Sequence, residues 1–457
     1  MKINAVILAA GLGTRMRSAT PKALHPLLGR PMVWYAIESA QKASGSKPVL
    51  IIGHGAEAIR EIVGEAAYFA LQEPQLGTGH AVMQAEPLLK GKTDLVLVTS
   101  ADMPLLSAKT LDDLIQAHQD GQRNFPQPCP MTILTVIAED ARGFGRVIRA
   151  SGGEVKAVIE EAQANQDQLA INELNASVYC FNANWLWEAL NRISLTPKGE
   201  YYLTDLVGIA VDQGLPIQAL TIQDASEAIG INTRIHLSEA EAILRGMINQ
   251  EWMLSGVTMI DPNTTYIEPG VEIGKDTLIW PNTFLQGNTR IGQACTLGPD
   301  LILRDSQIGN HSKVFASVLE KAIVEDEVEI GPFAHLRQGA HLANGTHMGN
   351  FGEVKNSYLG PGTKMGHFSY VGDTTIGAKV NIGAGTVTCN FDGKKKNPTV
   401  IGNDVFIGSD TMLVAPVKLG DGAHTGAGSV VTKDVPPHTL AVGVPARAIK
   451  KIEKSDK

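Results

Sequence analysis

Hydrophobic residues recur with three different spacings along this chain, and each spacing marks a different kind of structure. Near the N-terminus they come as short apolar runs: Ala5-Val6-Ile7-Leu8, Pro48 to Ile52, Leu95 to Val98 and Met131 to Val136. Runs of that length, bounded by glycine and polar turns, read as buried strands. Between the first two, Pro31 to Ala43 carries helical spacing. Strand and helix in alternation predict a mainly parallel sheet covered on both faces, with ligands beyond the carboxyl ends of its strands. Further on, Ile235, Leu237, Ala240, Ile243, Leu244, Met247, Ile248 and Trp252 repeat at helical spacing. They predict one long connecting helix from about Thr233 to Leu254, punctuated by Gly256 and Pro262.

The third spacing is six. Ile267, Ile273, Ile279, Leu285, Ile291, Leu297 and Leu303 follow without a break; the count restarts at Ile330, Leu336, Leu342, Met348 and Val354, and again at Ile401, Ile407, Leu413 and Leu419. Six fits neither the 3.6 residues of a helical turn nor the two-residue alternation of a strand. It fits hexapeptide repeats that coil as a parallel β-helix. Six residues make one face of a three-sided coil, so Ile267 to Val431 gives roughly ten coils, a column about 45–50 Å tall at the usual strand spacing. The aliphatic residue points inward. The glycine that often follows it, as in Ile273-Gly274, Ile291-Gly292 and Ile407-Gly408, is expected to turn the corner at little steric cost. Cys389 to Pro398 reads as an inserted polar loop. Beyond Val435-Pro436-Pro437 the hexads are expected to stop, and the charged tail from Lys450 to be mobile.

Composition narrows the picture. At 457 residues the chain exceeds one ordinary core. The patterns divide it into an α/β domain over 1–229, a linker helix over 230–255, and a β-helix with its tail over 256–457. A net charge of −8, with one basic tract at Lys394-Lys395-Lys396, argues against nucleic acid as a partner. Cys129, Cys180, Cys295 and Cys389 lack metal-ligand spacing and suit a reducing compartment. The run Ala5 to Ala10 is too short for a signal-peptide core or a membrane span, so a cytoplasmic protein with no membrane partner is expected.

Two stretches carry candidate chemistry. The first, Leu8-Ala9-Ala10-Gly11-Leu12-Gly13-Thr14-Arg15-Met16, leaves a strand and leads to Pro21-Lys22. Small residues there let backbone N–H groups approach a phosphate or a base, and Arg15 and Lys22 supply charge for a triphosphate. It is neither a Walker A loop nor a G-x-G-x-x-G fingerprint. The string resembles the signature of sugar-1-phosphate nucleotidylyltransferases. Gln72-Glu73-Pro74-Gln75-Leu76-Gly77-Thr78-Gly79-His80-Ala81 is similar to the uridine-recognising loop of their uridylyl branch. The resemblance implies that Leu8, Ala9, Ala10, Gly11 and Lys22 hold the nucleotide. It implies that Gln72 pairs with the uracil edge and that Gly77-Thr78 let the base lie against backbone. Ser100-Ala101-Asp102 stands for the family's acidic segment, with Ala101 where glycine is usual. Asp102 and Asn232 would hold Mg²⁺, an ion that takes few ligands from protein and completes its shell with phosphates and water. Gly145, Glu160 (with Glu161 beside it) and Asn175 match positions that hold the amino sugar.

The second stretch lies in the repeats. Arg337, Lys355, His367, Tyr370 and Asn381 recur in the coils before the inserted loop. A histidine near neutral pKa removes a proton from an attacking amine, two cations suit a phosphate, and Tyr370 and Asn381 suit a sugar. Together with Gly383-Ala384-Gly385-Thr386-Val387-Thr388-Cys389-Asn390-Phe391-Asp392-Gly393, this set resembles the bifunctional N-acetylglucosamine-1-phosphate uridylyltransferase/glucosamine-1-phosphate N-acetyltransferases, from Leu8 to about Pro445. The resemblance implies a Rossmann-like nucleotidyltransferase domain and a left-handed β-helix, against the right-handed crossover of the usual rule. It implies acetyl-CoA contacts at Ala384, Asn390, Phe391, Ser409, Ala427 and Arg447, with Phe391 where the family often has tyrosine. It implies homotrimers, and glucosamine 1-phosphate, N-acetylglucosamine 1-phosphate and UTP as further substrates. Two competitors stand beside it. A monofunctional nucleotidylyltransferase with a regulatory β-helix needs no His367, Tyr370 and Asn381 together. A trimeric scaffold with a vestigial pocket needs no intact Arg15, Lys22 and Asp102.

Overall fold

A computed structural model describes residues 1–452, which form two compact units, Met1–Leu244 and the residues from Arg245 on. In the first unit, seven strands lie in the order Ile217–Thr221, Met131–Ile137, Glu173–Asn182, Leu95–Ser100, Ile3–Ala9, Val49–Ile52 and Tyr68–Leu71, with the hairpin Arg146–Arg149/Val155–Ile159 attached to Glu173–Asn182. Glu173–Asn182 runs antiparallel to both neighbours; the other strands on this path pair in parallel.

Both faces of this sheet are covered, which is why its central strands read as unbroken apolar runs. Ala5, Ile7, Leu50, Ile52, Leu95 and Leu97 share one apolar cluster with Val33 and Ile37 of the helix Val33–Ser44 and Leu111 and Leu114 of the helix Ala108–Asn124. Val6, Val49, Ile51, Val96 and Val98 face the other way, against Leu186 and Trp187 of Ala183–Leu190 and Leu206 and Val207 of Asp205–Asp212. A further cluster joins Met16, Leu27, Met32, Leu105, Ile229, Ile231 and Ala240. The two-residue strands Pro26–Leu27 and Arg30–Pro31 are too short for any period to announce.

The second unit coils as a three-sided parallel β-helix. Its strands fall into sheets of 12, 10 and 9, each taking every third strand in turn until the closing hairpin of the 12-stranded sheet. Ile279 stacks on Leu297, Leu297 on Val314 and Val314 on Ile330, so a coil takes 18, 17 or 16 residues. The shorter coils contain five-residue faces: Leu303, Ile308, Val314, Leu319, Val324 and Ile330 all point inward. That is why the count of six lapses between Leu303 and Ile330 although the core does not. At the open first coils, Ile248 and Trp252 of the helix Arg234–Leu254 pack on the aliphatic core, and buried Asn249 donates to the carbonyls of Pro262 (2.8 Å) and Thr265 (3.0 Å).

Three expectations need correction. Of the glycines after hexad residues, Gly298 (φ +83°) and Gly331 (φ +103°) do use a left-handed backbone, but Gly274, Gly292 and Gly408 do not. Asp276, Asn282, Ala294 and Asp300 take positive φ angles at the corners instead. At Gly274 an added Cβ would lie 2.5 Å from the backbone of Gly292 and Gln293 in the next coil, so close stacking demands the glycine. The repeats also continue past Pro437. Thr439–Gly443 stacks in parallel on His424–Thr425, and Ala446–Lys451 folds back antiparallel on it. Lys450 and Lys451 are therefore strand residues, and the rest of the expected mobile tail, 453–457, lies outside the described residues. Finally, Cys389 closes the strand Val387–Cys389, so the inserted loop begins at Asn390.

Candidate active sites

The first site grows from one register. Ile3–Ala9 and Leu95–Ser100 run in parallel with Leu8 beside Ser100, and the Ala101 N–H donates to the Leu8 carbonyl (3.0 Å). The chain therefore leaves both strands at the same edge, setting Ala9-Ala10-Gly11 against Ala101-Asp102. Gly13 has φ +61°, and a Cβ there would sit 2.8 Å from Lys22 Cβ; this glycine lets the loop fold over the lysine. At Gly11, by contrast, no atom stands within 4 Å of an added Cβ, so the protein leaves that room open. Met16, buried with Ile231, ties the loop bearing Arg15 to the segment bearing Asn232. The Ile231 N–H donates to the Asp102 carbonyl (2.8 Å).

Four predicted residues converge in consequence. The Lys22 ammonium bonds the Asp102 carboxylate and also Asn232 Oδ1 (2.8 Å), and Arg15 donates to the same Oδ1 (2.9 Å). Burial alone would raise the Asp102 carboxyl. The Lys22 charge and hydrogen bonds from Lys22, Ser100 and its own backbone outweigh that and hold it below the usual carboxylate range.

These groups line a cavity of about 570 Å³ shared by Leu8, Ala9, Ala10, Gly11, Gln72, Gly77, Thr78, Ser100, Ala101 and Glu160. Thr78 is tied to the wall, its hydroxyl accepting from the Leu203 N–H (3.0 Å). The neighbours Glu160 and Glu161 part company. Glu160 accepts from the Thr204 hydroxyl (2.9 Å) inside the cavity, whereas Glu161 pairs with Arg146 (3.0 Å). Burial pushes the Glu160 carboxyl up; the Thr204 bond opposes it, and Asp205 and Glu200 add to it.

Gly145 and Asn175 are absent from the cavity lining. The Asn175 N–H donates to the Gly145 carbonyl (2.8 Å), and the Asn175 amide donates to the Tyr179 hydroxyl (2.7 Å), which places them behind Tyr179. Sequence reasoning missed Ser177, Tyr179, Glu200, Tyr202 and Thr204 in the lining. Ser177 arrives through a bulge between Asn175 and Tyr179 that no pattern announces. Glu200-Tyr201-Tyr202-Leu203-Thr204 carried a signal: two aromatic residues beside polar ones in a short connection.

In the β-helix, stacking does what sheet register does above. His367, Ala384, Ser409 and Ala427 occupy successive levels of one corner. The Gly385 N–H donates to the Phe368 carbonyl (2.7 Å), Asp410 to Ala384 (2.6 Å) and Gly428 to Ser409 (2.8 Å). His367 and Asn381 are exposed. Asn381 lies on the 12-stranded face that enters this corner and Tyr370 on the 10-stranded face that leaves it. On that second face Tyr370 stacks on Glu353, and Arg337 and Lys355 extend the adjacent levels. Arg337 donates to Glu353 (2.9 Å). Lys396 beside Lys355, and then Arg337, hold the Lys355 ammonium below the usual lysine range.

Asn390, at the mouth of the inserted loop, donates to Asp373 (2.6 Å) and lies 3.5 Å from the Tyr370 hydroxyl. The loop is knitted around Asp392, whose carboxylate accepts from the N–H groups of Lys394 (2.9 Å) and Lys395 (2.8 Å) and from the Asn397 amide (2.8 Å). Those contacts hold its pKa down at about 2. Phe391 stays exposed on this loop. Arg447 is on the final strand opposite Val442, and the Gly443 N–H reaches Ser429 Oγ (3.3 Å), which brings that hairpin to the end of the corner column.

Comparison with known proteins agrees with both halves. A MobA-like NTP transferase domain matches residues 5–142, and a bacterial transferase hexapeptide (six repeats) matches 398–433. "Bifunctional protein GlmU" of an Exiguobacterium species is 46% identical over 443 residues, covering 97% of each chain. Those of Heliobacterium modesticaldum (44%; 96% of this chain, 95% of the relative) and Syntrophomonas wolfei (45%; 97% of each) align as fully. A nucleotidyltransferase unit and a hexapeptide left-handed β-helix are thus joined in one chain in the manner of these relatives, and the chain belongs to the GlmU family of bifunctional proteins.

Proposed function

We infer that the chain carries out two consecutive steps of UDP-N-acetylglucosamine synthesis in the cytoplasm. Residues 1–229 form the uridylyltransferase domain, 230–255 its linker helix, and 256–457 the N-acetyltransferase domain. The observation that carries the reading is the meeting of Asp102 and Asn232, far apart in the chain, on Lys22 inside a cavity that Arg15 also enters.

In the β-helix, Arg337 and Lys355 bind the phosphate of glucosamine 1-phosphate, and Tyr370 and Asn381 orient the sugar. The amine attacks the thioester carbonyl of acetyl-CoA. His367 takes the amine proton, the carbon–sulfur bond breaks, and the thiol leaves. Ala384, Asn390, Phe391, Ser409, Ala427 and Arg447 hold the acetyl donor. In a homotrimer this open corner is closed by a neighbouring copy, which the loop bearing Lys394, Lys395 and Lys396 helps to reach.

In the first unit, a phosphate oxygen of N-acetylglucosamine 1-phosphate attacks the α-phosphorus of UTP. The bond to the bridging oxygen breaks and pyrophosphate leaves. Gln72, Gly77 and Thr78 place the base, Glu160 places the sugar from within the cavity, and Gly145 and Asn175 support its wall. Both reactants are anions, so Arg15 and Lys22 neutralise and align them. The donor set, one carboxylate and one amide oxygen from Asp102 and Asn232, fits Mg²⁺, which supplies further charge neutralisation at the phosphates when bound.

Mass-spectrometric product analysis with glucosamine 1-phosphate, acetyl-CoA, UTP and Mg²⁺ tests the reading. Successive appearance of N-acetylglucosamine 1-phosphate and UDP-N-acetylglucosamine is expected. Uridylyl transfer without acetylation would leave the β-helix regulatory.

A further inference from the structure

Beside the first site is a histidine that the chemistry above does not use. His80 sits in the helix Gly77–Met83, whose start is clamped by the passing chain: the Gly79 N–H donates to the Tyr201 carbonyl (2.8 Å), and the Tyr201 N–H to that of Leu76 (2.8 Å). The clamp fixes the His80 ring between two amides. Gln72 Nε2 lies 3.2 Å from His80 Nδ1, and Gln84 Nε2 lies 3.1 Å from His80 Nε2.

A neutral imidazole has one N–H and one bare nitrogen, so it cannot accept from both amides. Burial decides which is served. Gln72 is 3% exposed, and its second amide hydrogen already goes to the Gly77 carbonyl (2.9 Å), which can only accept. Gln84 Nε2 likewise donates to the His80 carbonyl (3.0 Å), but Gln84 is only partly buried and water can meet its remaining amide hydrogen, whereas an unmet N–H on buried Gln72 would stay unpaired. The bare nitrogen is therefore Nδ1, and the ring proton sits on Nε2. With both Gln72 hydrogens committed, the amide presents its oxygen, and no N–H, to the cavity it lines.

We propose that His80 is a positioning residue for base selection: it locks the Gln72 amide so that the cavity offers the base edge an acceptor alone. Uracil carries an N–H at N3 that donates to such an oxygen. Cytosine carries a bare nitrogen there, and the two lone pairs repel. The inference rests on the reading of Gln72 as the base contact and deepens it, since Gln72 by itself is a two-sided amide that serves either pyrimidine.

The test is the ratio of kcat/KM for UTP over CTP in the full-length enzyme. His80→Phe, which keeps the ring but removes the acceptor, is expected to shrink that ratio about tenfold or more, with the KM for UTP rising and the KM for the sugar phosphate unchanged. His80→Asn, which returns an acceptor at the position of Nδ1, is expected to restore the ratio to within about threefold of the parent. A His80→Phe enzyme that keeps the ratio, or that loses UTP and CTP turnover in equal proportion, overturns the proposal. Gln72→Leu separates the two readings. If it leaves the ratio intact, the assignment of Gln72 to the base falls and takes this inference with it. If it collapses the ratio while His80→Phe does not, only the role of His80 falls.

Discussion

The two units bring residues that are remote in the chain together by opposite means. In the α/β unit the groups come from segments as remote as Arg15 and Asn232, and sheet register plus the Met16–Ile231 cluster fold them around one cavity. In the β-helix, His367, Ala384, Ser409 and Ala427 are spaced by whole coils and line up because each coil repeats the last. The first is concave and depends on contacts between distant segments. The second is open along its corner and depends on near neighbours only. A concave site therefore draws on the whole unit, and a repeat yields order from neighbouring coils alone.

The sharpest break in that comparison is Asp102→Asn, expected to abolish pyrophosphate release while acetyl transfer stays at the parent rate; normal release would remove Asp102 from the metal site. His367→Ala should do the reverse, lowering acetyl transfer about 10²–10⁴-fold with uridylyl transfer intact. A mutant within a few-fold of the parent would mean that another base takes the proton.

Stability offers the next contrast. Leu336 is fully buried in the solenoid core, and Leu336→Ala should destabilise that unit by about 2–5 kcal/mol. Loss of acetyl transfer on heating should then precede loss of uridylyl transfer, an order that simultaneous loss would contradict. Acid should strike the other unit. Burial pushes His118 down to about 4, so the folded state stays neutral where the unfolded chain, near 6.5, takes a proton. Stability is then full above about pH 6.5 and falls by up to about 3 kcal/mol as pH drops to about 4. Denaturant midpoints followed through uridylyl activity should show this slope, and His118→Gln should flatten it.

The smallest effect concerns the inserted loop. The Asp392 carboxyl is depressed to about 2, so its contribution is present above the unfolded value near 4 and fades as pH falls through 2. Asp392→Ala should raise the KM for acetyl-CoA a few-fold and lower the unfolding midpoint at neutral pH only slightly, by less than Leu336→Ala does.

The sequence spoke most clearly where a residue's neighbours lie at a fixed offset. The β-helix core was readable from Ile267 onward because each inward position is repeated, and the five-residue faces, among them those ending at Ile308, Leu319, Leu359 and Ile376, hid behind a count of six. Its glycines were legible as positions but not as causes, since the backbone that forbids a Cβ at Gly274 belongs to the next coil. In the first unit the motif residues Arg15, Lys22 and Asp102 could be named from their strings. Much of the remaining cavity lining could not. Tyr179 and Thr204 enter the cavity through a bulge and a connection whose placement depends on tertiary packing. The separation of Glu160 from Glu161 likewise needed the positions of Thr204 and Arg146.

The inserted loop has a consequence of its own. Ile382 stacks on Ile407 as squarely as Ile279 does on Leu297, although the step between them is 25 residues rather than 18. The ladder counts levels, not residues. A corner of this fold thus works as a socket: chain can be fed out and returned there while the levels on either side keep their pairing. Loop length at Asn390 is in that sense a free variable, open to lengthening, trimming or exchange without renegotiating the core, whereas one residue added inside a strand such as Val387–Cys389 would turn its inward side chain to solvent.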